Sequence, residues 1–270
     1  MASRPPFIEQ LRHAWRENAS LLCVGLDPDP GRLPSGISTL EFCCAIVDAT
    51  APFVCAFKPQ AAYFAAQGRE ADLADLIAYI HDRHPGIPVI LDAKRGDIGS
   101  TARLYAVEAY ERFGADAVTV NPYLGSESVA PYLDYSDRGV VVLCRTSNPD
   151  SGWLQDYPAN DPVYLRVAAG AADWNRNGNV MVVAGATYPE QLARIRALVG
   201  DMPILVPGVG AQGGDIESVL ESGRDRQGEG LVINASRSIL YAGTGRDYAG
   251  AAAGAAEALQ AEIESLRRNR

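Results

Sequence analysis

The chain has 270 residues, 47% of them hydrophobic and 21% charged, with a formal net charge of −9. That length suits one (β/α)8 barrel of about 250 residues with a full core, and the acid excess without a basic run argues against nucleic acid as the main partner. Nothing reaches the ~18 apolar residues of a membrane span, residues 1–18 lack the apolar centre of a signal peptide, and the cysteines show no C-x-x-C spacing, so we expect a cytoplasmic protein with reduced thiols and no membrane partner.

In chain order, residues 7–16 predict an amphipathic helix ahead of a first strand over 21–26. A helix over 40–50, a strand over 53–57 and a helix over 72–81 follow. A third strand, 89–92, leads into a helix over 101–113, and the fourth and fifth strands lie at 117–120 and 140–143. Helix 163–175, strand 180–184, helix 190–199 and strands 204–206 and 231–234 complete the repeat, and residues 248–268 form a closing helix. Short β-branched runs alternating with helical patterns are the signature of βα units, and their unbroken hydrophobicity suits strands buried on both faces. The predicted class is α/β: a single (β/α)8 TIM barrel domain over residues 1–270 with an extra N-terminal helix. An open doubly wound sheet is the alternative.

The polar interruptions fall just after strands: Asp27, Lys58, Asp92 with Lys94, Asn121, Arg145 with Ser147, Gln212, and Ser236 with Arg237. In a barrel these positions converge on one mouth. Asp92-Ala93-Lys94-Arg95-Gly96-Asp97 is the densest group, and continued strand geometry would put Asp92 and Lys94 on one side. Lys58 ends its own apolar run and adds a second cation. Schiff-base chemistry, proton donation and ion pairing are all open to such a lysine, but alternating opposite charges favour the ionised forms and disfavour the neutral amine that a Schiff base needs.

Gly208, Gly210, Gly213 and Gly214 follow the seventh strand and Ser236-Arg237 follows the eighth, where glycine amides and an arginine can grip a phosphate. The polar segment from Arg145 to Trp153 is long enough to fold over a heterocycle. His13, His81 and His84 lie in helical segments, with His81 and His84 read as surface residues, so a histidine-bound metal is not expected. Nucleophile-elbow, P-loop and dinucleotide motifs are missing.

Asp92-Ala93-Lys94-Arg95-Gly96-Asp97-Ile98-Gly99-Ser100-Thr101, Phe57-Lys58-Pro59, residues 207–214 and Ser236-Arg237-Ser238-Ile239 together resemble the orotidine 5′-phosphate decarboxylases, in their longer bacterial branch. The resemblance implies a dimeric barrel that makes UMP without metal or organic cofactor. It implies that Lys94 protonates C6, that Asp92 faces the substrate carboxylate, and that Lys58 holds Asp92 and the ribose hydroxyls. Asp97, with Ile98 and Thr101, would serve the neighbouring subunit's site in a homodimer. Asp27 would bind ribose, Ser147 the pyrimidine, and Gln212 with Arg237 the phosphate, with Ser236 beside them where many relatives carry glycine. Asn148 likewise replaces a histidine found in others. The alternatives are a Mg²⁺-dependent phosphosugar decarboxylase or aldolase-like enzyme on the same barrel, and a silent barrel serving as a binding module.

Overall fold

The computed structural model describes residues 4–209 and 214–268. They form eight strands, β1 (Leu22–Leu26), β2 (Ala56–Pro59), β3 (Ile90–Arg95), β4 (Ala117–Val120), β5 (Gly139–Arg145), β6 (Val180–Ala184), β7 (Ile204–Pro207) and β8 (Leu231–Ala235). All neighbours pair in parallel, in the order β2-β1-β8-β7-β6-β5-β4-β3. Two single bridges, Phe57 to Val89 and Gln60 to Asp92, join β2 to β3 and bring the sheet round to a nearly closed barrel. This is the α/β TIM barrel. Every residue of β1, β2, β4 and β6 is buried, as a sheet covered outside by helices and filled inside requires.

The extra helix is present at Phe7–Glu17, and it buries Phe7, Leu11 and Trp15. It packs where β5 begins because Gly139 has no side chain: a Cβ there would sit 2.7 Å from Ala117 Cβ and closer still to the Phe7 ring. The last helix, Tyr248–Arg268, stacks Tyr248 on Phe42 with ring centroids 5.1 Å apart. Among the described residues no helix is long and apolar enough to cross a membrane.

Two expectations need correction. The second strand is not at 53–57: Ala51–Phe53 is a 3-10 turn containing Pro52, and the strand runs Ala56–Pro59. Proline removes a ladder donor and fixes φ, which delays the extended run and draws Lys58 into the strand itself. His81 is not a surface residue either. Its Nε2 lies 2.9 Å from Oδ2 of Asp116, a carboxylate with no exposed surface, which also accepts from Arg4 Nε (3.0 Å), Gln10 Nε2 (3.1 Å) and the Val89 amide (2.9 Å). These contacts tie the N-terminal segment, the Glu70–Arg83 helix and β3 to one buried anion at the start of β4. His84 pairs with Asp48 at 2.7 Å and is only partly exposed.

Candidate active site

Asp92 is the centre of the mouth. Lys58 Nζ donates to its Oδ2 at 2.9 Å and Lys94 Nζ to its Oδ1 at 2.6 Å, so one carboxylate holds both cations. Oδ1 also accepts the Thr119 hydroxyl at 3.0 Å. The Thr119 oxygen in turn accepts the amides of Ala93 (3.0 Å) and Lys94 (2.9 Å). Thr119 was not legible as a site residue; its one signal was a hydroxyl within the apolar run Ala117–Val120.

The expected alternation alone does not produce this geometry. The β3–β4 register shifts between Leu91 and Arg95, and Lys94 takes a left-handed φ of +48°, a region costly to a residue with a Cβ. The irregularity re-aims Lys94 toward Asp92. It is held in place by the two amides bound to Thr119, so strand β4 fixes the backbone that points the lysine.

Burial separates the two cations. The Lys58 side chain is 5% exposed, whereas that of Lys94 is 48% exposed and open to a ligand. For Lys58, burial would lower the pKa, but Asp92 and Asp27 outweigh it and hold the ammonium above its ordinary range. Burial would raise Asp92, yet Lys58 and Lys94 keep it well below the usual carboxylate range. Asp92 is therefore an anion, and Lys58 is locked as a cation and unsuited to Schiff-base chemistry.

A cavity of about 550 Å³ opens over this chain, lined by Lys58, Asp92, Lys94, Ser147, Trp153 and Pro207 among others. The Ser147 expectation thus falls in the cavity wall. Asp27 lies at the adjoining edge after β1, where its Oδ2 accepts Ser236 Oγ at 2.5 Å and its Oδ1 has no partner among the described residues. Arg237 is exposed and opens the short Arg237–Leu240 helix beyond β8. Asp97 stays out of the Lys58–Asp92–Lys94 chain; its Oδ1 accepts its neighbour's amide, Ile98 N, at 2.8 Å. Ile98 and Thr101 are both exposed beside it. Gln212 lies outside the described residues.

The family model for the orotidine 5′-phosphate decarboxylase / HUMPS family matches residues 20–252. The chain belongs to that family. An orotidine 5′-phosphate decarboxylase of Azoarcus sp. is 58% identical over 268 residues, spanning 97% of this chain and 99% of the relative. One from Dechloromonas aromatica is 60% identical over 253 residues, 91% of this chain and 94% of that one. The solved OMP decarboxylase of Leishmania donovani is 39% identical and superposes with a TM-score of 0.87, covering 97% of this chain and 99% of its own. The family model spans decarboxylases and HUMPS members alike, while the relatives described here are decarboxylases, so the phosphosugar alternative gains no support from them.

Proposed function

We propose that the chain decarboxylates orotidine 5′-phosphate to UMP within the cytoplasm, without metal or organic cofactor. The observation that carries the reading is the shared carboxylate: Asp92 held by buried Lys58 on one oxygen and by accessible Lys94 on the other. In the reaction the bond between C6 and the carboxyl carbon breaks, CO2 leaves, and the electron pair stays on C6. Lys94 Nζ then gives its proton to C6. That carbanion has little resonance help, so a cation fixed beside it stabilises the charge as it develops.

Asp92 faces the departing carboxylate. Two such charges about 4 Å apart repel by roughly 4 kcal/mol at an effective dielectric near 20, which CO2 loss relieves. Lys58 keeps Asp92 ionised and in place and reaches toward the ribose hydroxyls, and Asp27 takes the ribose. Ser147 contacts the pyrimidine, while Gln212 and Arg237 hold the phosphate with Ser236 alongside. Binding energy at that remote phosphate positions the reacting carbon.

Asp97, with Ile98 and Thr101, completes the site of a second subunit in a homodimer. Ile98 (51% exposed) beside Asp97, and Leu104 (68%) and Val107 (38%) on the helix that follows, are exposed apolar side chains, which supports a partner covering this stretch.

The purified chain should convert orotidine 5′-phosphate to UMP in the presence of EDTA, followed by loss of orotidylate absorbance. Metal-dependent turnover of a sugar phosphate with no such loss would overturn the assignment.

A further inference from the structure

Arg145, the last residue of β5, is 1% exposed although it is charged and stands at the barrel mouth. A guanidinium placed there for solubility would point outward. Instead, residues 146–156 wind round it. Nε and Nη2 donate to the two oxygens of Asp156 at 3.0 and 2.9 Å. Nη1 donates to the Thr146 carbonyl at 2.9 Å and to the Ser151 hydroxyl. The Tyr188 ring lies 3.8 Å from the guanidinium carbon. Further bonds tie the segment to itself: Gln155 Oε1 accepts the Thr146 amide at 2.9 Å, and Ser151 Oγ donates to Asn148 O at 2.6 Å.

The same segment supplies Ser147, Asn148, Trp153, Leu154 and Gln155 to the cavity wall. It has almost no apolar anchor of its own, since Trp153 is 81% exposed and within 146–156 only Ser151 is buried. Its shape therefore depends on the planar fork of an arginine, which fixes a carboxylate in two directions at once where a lysine would fix a point.

We propose that Arg145, through its bidentate pair with Asp156, is a positioning residue that holds this wall at the height at which Ser147 meets the nucleobase. The inference rests on the reading of the site as one for orotidine 5′-phosphate. Arg145 itself touches no substrate; it acts through Ser147 and Gln155.

Two substitutions loosen the pair independently. Asp156→Asn removes the charge with little change of volume, at a side chain 41% exposed. Gly152→Ala places a Cβ 2.7 Å from Asp156 Oδ2 on a helical backbone that tolerates alanine, and so displaces the carboxylate. In each variant KM for orotidine 5′-phosphate should rise at least tenfold while kcat falls less than threefold. Inhibition by ribose 5-phosphate, which has no base, should be unchanged. Ser147→Ala should absorb the effect, so that adding Asp156→Asn to it raises KM less than threefold.

A parallel weakening of ribose 5-phosphate, an unchanged KM in both variants, or full additivity with Ser147→Ala would each overturn the proposal while leaving an active wild type as evidence for the reaction. A wild type that does not decarboxylate orotidine 5′-phosphate removes the reading of the site, and this inference with it.

Discussion

Lys94 reaches back across its own left-handed backbone to place Nζ 2.6 Å from Oδ1 of Asp92, two residues earlier. Neither group is there by simple strand alternation. The bulge between Leu91 and Arg95 gives the lysine its direction, and Thr119 on the neighbouring strand binds both the carboxylate and the two amides that form the irregular turn. An unfavourable backbone angle persists at this position because surrounding contacts over-determine it.

Replacing Lys94 with Ala should lower kcat by at least the ~10²–10⁴-fold typical of a lost general acid, and further because its field is lost with the proton. The side chain is half exposed, so the variant should fold and show a near-native circular dichroism spectrum. Turnover close to wild type would remove Lys94 from the mechanism.

The Lys58–Asp92 pair makes stability depend on pH at both extremes. Asp92 is depressed in the folded state, so its contribution is present above the ordinary carboxylate value of about 3.9 and is lost as pH falls below it. Lys58 is raised, so its contribution is present below the ordinary lysine value of about 10.4 and is lost as pH climbs past it. The difference in melting temperature between wild type and Asp92→Asn should therefore be steady from about pH 5 to 9 and narrow toward pH 3. A difference that widens on acidification would show that the carboxylate is not held ionised by its lysines.

Asp97, three positions after Lys94, bonds to its neighbour's amide rather than to the Lys58–Asp92–Lys94 chain, and on the proposed dimer the two should serve different sites. Mixing inactive Lys94→Ala with inactive Asp97→Ala should regenerate activity on subunit exchange. Random pairing of equal amounts gives up to about a quarter of wild-type sites, because each mixed dimer has one doubly defective site and one intact site. Demonstrated exchange without recovery would confine Asp97 to its own chain.

At the opposite end of the barrel, Asp116→Ala should destabilise the fold by about 3 kcal/mol, the low end for removing one member of a buried charge cluster, because Arg4 and His81 remain partly open to water. Denaturant melts measure the loss. Activity per folded molecule at low temperature should stay near wild type, since the cluster lies at the start of β4, away from the mouth.

The barrel was legible because its strands are apolar runs buried on both faces, a pattern that survives without tertiary context. Lys58, Asp92 and Lys94 were legible because charge at the end of such a run has few structural uses. Thr119 escaped notice, since one hydroxyl in Ala117–Val120 looks like an ordinary β-branched strand residue until its bonds are seen. His81 departs from expectation for a related reason: helical spacing shows which face a residue occupies but not that a buried carboxylate waits opposite. The roles proposed for Asp97, Ile98 and Thr101 would depend on a second subunit, which no periodicity within one chain can encode.

The single bridges that close β2 onto β3 coincide with the strands carrying Lys58 and Asp92. The ion pair is thus also a clasp across the seam where the backbone ladder is thinnest. Exchanging a buried pair for well-packed apolar residues often makes a protein sturdier. Here that exchange would tighten the clasp and, on the proposed mechanism, silence the chemistry as well, so a search for heat-resistant variants scored by melting alone would be drawn toward inert barrels at this seam.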